Sequence, residues 1–143
     1  MSLRTVAKKN EIPNADPSLP LVIVNPRSAA GSTQQNWSGT AADLRAHFGP
    51  FSVAFTKCQG DAIDIAERAA NAGRPFIIAC GGDGTINEVA NGILRSGKDA
   101  ELGVMPSGTG GDFRRTLGLP NSNREAAAAL RTGETRWIDA GKV

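Results

Sequence analysis

Short apolar runs recur along this chain, and each is followed by a polar or glycine-rich turn and then by apolar residues at helical spacing. The runs are Leu21–Val24, Phe51–Thr56, Phe76–Cys80, Leu102–Met105 and Thr135–Ile138. Short runs of this kind, bounded by turn residues, predict β-strands. Phe76–Cys80 lacks polar alternation, so we expect it to be a central strand that is covered on both faces.

Helical spacing appears between and after these strands. The predicted helices are Ala41–Phe48, Asp61–Ala72, a helix that starts near Thr85 and runs through Leu94, Gly110–Leu117 and Arg124–Arg131. Asp61 is suited to cap the second helix and Gly73 to end it, and a polar loop is expected before Ala41. The alternation predicts an α/β fold, which is a doubly wound, mostly parallel sheet in three layers, similar to a Rossmann fold.

Ligands of such sheets bind beyond the carboxyl ends of the strands. Four strands run into loops with polar or glycine-rich sequences, namely Asn25–Ser28, Thr56 with Gly60–Ala62, Gly81–Gly84 and Pro106–Phe113. Because the carboxyl ends of parallel strands meet at one edge, we expect a single site there.

The Gly81–Gly84 turn carries the strongest chemical signal. Its glycines can take positive φ values and leave backbone N–H groups open to an anion, and the helix that follows adds its positive dipole end. A bare phosphate would repel Asp83, so this carboxylate favours a Mg²⁺ ion or a hydroxyl beside it. The alternative is a tight turn in which Thr85 and Glu88 form a capping box, although that does not account for the glycines.

A second glycine cluster, Gly108–Gly111, predicts another anion-binding turn, or else a flexible turn capped by Asp112. Neither cluster continues into the Gly-Lys-Ser/Thr of a Walker A loop, and neither completes Gly-x-Gly-x-x-Gly. The pair Asn25-Pro26 predicts a turn, or else a site where the side-chain amide of Asn25 forms hydrogen bonds with the base or ribose of a nucleotide.

Composition narrows the classes of function. The 143 residues fit one domain at 21–143, and residues 1–20 predict a flexible leader because they combine three prolines with scattered charges and no apolar segment. No run reaches the roughly 20 apolar residues of a membrane span. A net charge of +2 and the lack of Tyr disfavour nucleic acid, and Cys58 and Cys80 lack metal-site spacing.

The loop sequences together resemble the diacylglycerol kinase catalytic domain family, which includes sphingosine kinases and bacterial lipid kinases and is more distantly similar to NAD kinases. The resemblance covers about Leu21–Val143, and its most specific string is the GGDGTINEVANG of Gly81–Gly92. The other matching segments are Val24–Gly31, Thr56 with Gly60–Ala62, and Gly103–Phe113.

The resemblance implies ATP-dependent phosphorylation of a lipid hydroxyl such as that of diacylglycerol, with Mg²⁺ as cofactor. Asp83 is then the catalytic residue, acting either as general base or as a partner of the metal. The residues that the resemblance assigns to ATP binding are Asn25, Pro26, Arg27, Ser28, Ala29, Thr56, Gly82, Asp83, Gly84, Thr85, Ile86, Asn87, Glu88 and Thr109. It also implies a cytoplasmic protein in peripheral contact with the membrane.

Two departures from the family pattern qualify this expectation. Gly111 stands where family members usually carry Asn, and Trp137–Val143 resembles the point where family chains continue into a second, β-rich domain. We therefore expect weak nucleotide binding and little lipid turnover from this chain alone. The alternatives are an NAD kinase-like enzyme, which would not be expected to carry the Pro106–Phe113 block, and a noncatalytic nucleotide-binding module.

Overall fold

A computed structural model of the chain describes residues 16–106 and 122–133. The strands in these ranges are β1 Leu21–Val24, β2 Ser52–Phe55, β3 Phe76–Gly81 and β4 Glu101–Pro106. The helices are α1 Ser32–His47, α2 Asp61–Asn71, α3 Asp83–Ser96 and α4 Asn123–Thr132, and a 3₁₀ turn, Ser28–Gly31, precedes α1. Within these ranges, no helix is long and apolar enough to cross a membrane.

The four strands form one parallel sheet in the order β2-β1-β3-β4. From β1 the chain winds outward to β2, then crosses back over β1 to β3 and continues to β4. The direction of winding therefore reverses between β1 and β3, where Val24 and Cys80 lie side by side at the carboxyl ends. Crevices that bind ligands in open α/β sheets form at such reversals.

Alternate side chains of the buried strands enter two separate cores. Leu21 and Ile23 pack with α2 and α3 on one face of the sheet, whereas Val22 and Val24 pack with α1 and α4 on the other. All four residues of β1 are fully buried. The doubly wound, three-layer architecture is thus confirmed, and so are the first four predicted strands and the helices predicted at Asp61–Ala72 and Arg124–Arg131.

The first helix begins earlier than predicted. α1 starts at Ser32, whereas the apolar pattern predicted a loop up to Ala41. The buried positions in the additional turns are Thr33 and Thr40, whose hydroxyl side chains count as polar in a hydrophobicity pattern. Their spacing with Leu44 is nevertheless helical, so the expected loop was wrong because the buried face is made of threonines.

The predicted N-terminal helix caps were also wrong, whereas Gly73 does follow the end of α2, with a φ of 94°. α3 begins at Asp83 with Gly82 as its N-cap, and α2 begins at Asp61 with Gly60 as its N-cap, so neither N-cap residue has a side chain that could cap its helix. Thr85 is therefore the third residue of α3 and is buried, so it cannot be the N-cap of a capping box with Glu88. Asp61 is the first residue of α2, and its carboxylate bonds the preceding loop instead.

Some predictions concern residues outside the described ranges. These are most of the leader, the helix at Gly110–Leu117, the strand at Thr135–Ile138 and the whole Gly108–Gly111 cluster.

At the amino-terminal edge of the sheet, Arg74 is 2% exposed and its Nη1 donates to the Leu19 carbonyl at 2.8 Å. Burial lowers the pKa of Arg74.

α2 and α3 approach each other closely at Gly92. A Cβ built at Gly92 would fall on the Ile63 carbonyl oxygen and lie 2.7 Å from the Ala66 Cβ. Both obstacles belong to the facing helix, and one of them is backbone. The glycine that closes the GGDGTINEVANG string is therefore required by helix packing.

We predict that Gly92→Ala lowers the free energy of unfolding by about 2 kcal/mol, because the added methyl pushes α2 and α3 apart. Gly39→Ala is the matched control, since a Cβ at this position in α1 meets nothing within 4 Å. It should raise the stability by about 0.8 kcal/mol through helix propensity. Urea unfolding measures both, and equal effects of the two variants would contradict the packing role of Gly92.

Candidate nucleotide site

A cavity of about 610 Å³ lies beyond the carboxyl ends of β1, β2 and β3, at the reversal of winding. Its described lining comes from three loops and the first turns of α3. The lining residues are Asn25, Arg27, Ser28, Ala29, Thr56, Lys57, Cys58, Gln59, Gly82, Gly84, Thr85, Asn87 and Glu88. The expectation that these loops meet at one edge is thus confirmed for the loops after β1, β2 and β3.

Asn25 and Thr85 join the two loops that flank the reversal. The Asn25 backbone N–H donates to the Cys80 carbonyl at 3.0 Å, and its side-chain Nδ2 donates to Thr85 Oγ1 at 3.2 Å. Asn25 Oδ1 accepts the Arg27 N–H at 3.0 Å. Both ends of the amide therefore support the shape of the cavity wall.

Gly81 is needed for this junction. A Cβ at Gly81 would lie 2.6 Å from Thr85 Oγ1, so only glycine lets β3 pass directly over the threonine that holds Asn25. The φ of Gly81 is not positive, so its role here is close approach.

Gly82 and Gly84 have a different role. Neither has a positive φ, and a Cβ at either position meets nothing within 4 Å. The expectation that the turn uses positive φ values was therefore wrong. Because both residues line the cavity, their missing side chains leave the backbone at the head of α3 open to whatever occupies it.

Three helices start at this edge, and each has a glycine N-cap, namely Gly31 for α1, Gly60 for α2 and Gly82 for α3. As glycines, these N-cap residues have no side chain with which to cap their own helices. α4 differs, because its N-cap Ser122 accepts the Glu125 N–H at 3.1 Å. Helix N-termini carry N–H groups and partial positive charge that favour phosphate, so the edge is arranged to attract anions.

The loop after β1 has an unusual backbone. Ala29 and Ala30 have φ values of 54° and 56°, in the left-handed region that costs non-glycine residues about 1–2 kcal/mol each. Ser28 holds this segment through its Oγ, which donates to the Asn25 carbonyl at 2.8 Å and lies 2.5 Å from Thr33 Oγ1. Strain of this kind is characteristic of functional loops.

The loop after β2 is held at both ends. Asp61 Oδ2 accepts the Lys57 N–H at 2.7 Å and the Cys58 N–H at 3.1 Å. Cys58 Sγ donates to Asp61 Oδ1 at 3.3 Å, and this bond is the main reason why the pKa of Cys58 is raised. At the other end, Glu88 Oε1 accepts the Gly60 N–H.

Three lining residues were missed by sequence reasoning: Lys57, Cys58 and Gln59. They lie between Thr56 and Gly60, two positions that were singled out, so their place in one short loop was the available signal. Lys57 adds a positive charge to the cavity wall. Arg27 adds another from the opposite loop, and its charge partly offsets the rise in the Cys58 pKa that the Asp61 hydrogen bond causes.

Most of the predicted binding residues in the described ranges line the cavity, but three do not. Pro26, Asp83 and Ile86 are absent from its lining, and Thr109 lies outside the described residues. Ile86 is 3% exposed and belongs to the core beneath α3. Asp83 is exposed between the two lining glycines, and no group of three His, Cys, Asp or Glu suited to a metal occurs in the described ranges.

Known proteins are similar to this chain, some in sequence and some in solved structure. A diacylglycerol kinase of Bacillus subtilis is 47% identical over 89 residues, which are 62% of this chain and 29% of the relative. One from Staphylococcus aureus strain bovine RF122 is 36% identical over 122 residues, which are 85% and 39% of the two chains. The crystal structure of a diacylglycerol kinase from Bacillus anthracis matches with a TM-score of 0.70 and 35% identity, over 82% of this chain and 43% of that chain.

The chain spans less than half the length of each of these relatives. The family model described as the diacylglycerol kinase catalytic domain matches residues 20–143, which include all three loops of the cavity. The parallel sheet, the GGDG turn and the placement of the loops agree with that match. This chain therefore belongs to the diacylglycerol kinase catalytic domain family.

Proposed function

We propose that the chain is the ATP-binding part of a lipid kinase that transfers the γ-phosphoryl group of ATP to the hydroxyl of a lipid such as diacylglycerol. The observation that supports this most strongly is the cavity at the β1–β3 reversal, where glycine-capped helix N-termini meet two cationic side chains. Family membership supplies the class of reaction. We further propose a cytoplasmic location with peripheral membrane contact, since the acceptor is a lipid.

The phosphates of ATP fit best against the head of α3. Gly82 and Gly84 expose backbone there, and the dipole of α3 favours negative charge. Arg27 and Lys57 approach from the other two loops with charges that complement a polyphosphate. The Asn25–Thr85 hydrogen bond holds the Arg27 loop beside the head of α3.

Asp83 fits a role at the phosphate that is transferred. It is exposed, and it stands at the head of α3 between two glycines that line the cavity. In the reaction, the lipid oxygen forms a bond to the γ-phosphorus, the bond to the bridging oxygen breaks, ADP leaves, and the hydroxyl proton needs an acceptor. A carboxylate at this position can accept that proton or hold a metal.

Magnesium is compatible with the residues present. The described ranges offer no site made of protein ligands alone, but Mg²⁺ is commonly held by one or two carboxylates together with substrate phosphates. Asp83 would be the protein ligand here, and the ion would neutralise charge on the phosphates.

We predict that Gly84→Leu lowers the affinity for Mg·ATP at least about tenfold, because Gly84 lines the cavity and a leucine there would compete with the nucleotide for space. A Cβ at this position meets no protein atom within 4 Å. The same change should not destabilise α3, since leucine is a better helix former than glycine. Isothermal titration calorimetry measures the affinity, with GTP and NAD as competitors.

Gly39→Leu is the matched control, because it adds the same side chain to α1 in open space outside the cavity. It should leave the affinity for Mg·ATP unchanged. Equal binding by the wild type and Gly84→Leu would contradict the location of the site. Displacement of ATP by NAD would instead favour an NAD kinase-like enzyme.

We predict slow formation of phosphatidic acid from radiolabelled ATP and vesicles that contain diacylglycerol, and a loss of at least about a hundredfold in Asp83→Asn. The rate should be low because the chain spans less than half of its relatives. Robust turnover would contradict the expectation that lipid transfer needs residues beyond those of this chain. Equal rates in the wild type and Asp83→Asn would exclude Asp83 as the catalytic residue. ATP binding with no transfer would favour a noncatalytic nucleotide-binding module.

A further inference from the structure

We propose that Glu88 is a positioning residue, which fixes the loop between β2 and α2 in the shape that receives the nucleotide. This role rests on the nucleotide binding proposed above. The carboxylate of Glu88 belongs to α3, but its oxygen Oε1 accepts the backbone N–H of Gly60, 28 residues earlier in the chain. It thus joins two walls of the cavity by a single hydrogen bond.

The bond substitutes for a missing local cap. Gly60 is the N-cap of α2, has a φ of 91° and has no side chain of its own to satisfy an N–H group. A carboxylate from the neighbouring helix therefore supplies an acceptor and a negative charge at the positive end of α2. Charge-assisted bonds of this type are stronger than those between neutral groups.

The packing of α2 against α3 places Glu88 where it can make this contact. Glu88 and Gly92 are four residues apart, so they lie on the same face of α3. Gly92 is the point at which that face meets Ile63, and the Ile63 N–H bonds the Gly60 carbonyl at 3.1 Å. Close contact at Gly92 thus brings the Glu88 side chain over the first turn of α2.

The rest of the loop is also fixed. The Thr56 N–H continues the sheet by donating to the Val24 carbonyl at 2.9 Å, and Asp61 holds the N–H groups of Lys57 and Cys58. Glu88 secures the remaining end at Gly60. The loop therefore has its shape before any ligand arrives, which reduces the ordering cost of binding.

Two substitutions of Glu88 separate positioning from direct contact with the ligand. Glu88→Ala removes the acceptor and should weaken Mg·ATP binding about tenfold, whereas Glu88→Gln keeps an acceptor oxygen and should restore affinity to within about threefold of the wild type. Asp99→Ala, an exposed acid in the turn between α3 and β4, should have no effect. Calorimetry gives the affinities, and urea unfolding verifies that each variant is folded.

Hydrogen exchange of the Gly60 amide tests the contact independently of ATP. The amide should be protected in the wild type and in Glu88→Gln and should exchange faster in Glu88→Ala. Loss of affinity in Glu88→Gln with Gly60 still protected would overturn the proposal in favour of a charge that contacts the nucleotide or metal. Faster exchange with no loss of affinity would overturn it as well.

These results also distinguish this role from the proposed function. If the wild type does not bind ATP while the Gly60 amide follows the pattern above, the nucleotide function fails and the contact remains. If the wild type binds ATP but Glu88→Ala leaves the Gly60 amide protected, the function stands and the proposed role of Glu88 is wrong.

Discussion

The parallel pairing of β1 with β3 is the constraint on which the site depends. Every residue of β1 is fully buried, and its carboxyl end lies beside that of β3. The winding of the chain reverses at this pair, so no crossover helix covers the space beyond it. The Asn25–Thr85 hydrogen bond and the close approach of Gly81 to Thr85 continue the contact between β1 and β3 into the loops that follow them. The shape of the cavity therefore follows from the core of the sheet.

The glycines of the GGDGTINEVANG string serve three physical purposes. Gly81 allows a close approach to Thr85, Gly82 and Gly84 leave the cavity open, and Gly92 lets α3 meet α2. Two of these purposes are structural, and one is directed at a ligand. A sequence signature of binding is thus in part a signature of packing, because the packing of α3 determines where its N-terminus points.

The sheet could be predicted from the sequence because its strands are short apolar runs. Residues 32–40 of α1 could not, since the buried positions Thr33 and Thr40 have polar side chains. The predicted capping box was wrong because the Thr85 hydroxyl accepts a hydrogen bond from Asn25, 60 positions away in the chain. The local spacing of residues does not encode such a contact. The Glu88–Gly60 bond was missed for a similar reason, because it depends on how α2 packs against α3. Lys57 is different, since its place between Thr56 and Gly60 was a signal in the sequence itself.

The most direct test of the central claim is a titration of the ¹⁵N-labelled chain with Mg·ATP, followed by the chemical shifts of the backbone amides. If the β1–β3 reversal is the nucleotide site, the largest changes should fall at residues 25–29, 56–60 and 82–88, while the amides of α4 remain unchanged. Saturable binding with its largest changes elsewhere, or no change at all, would contradict the claim.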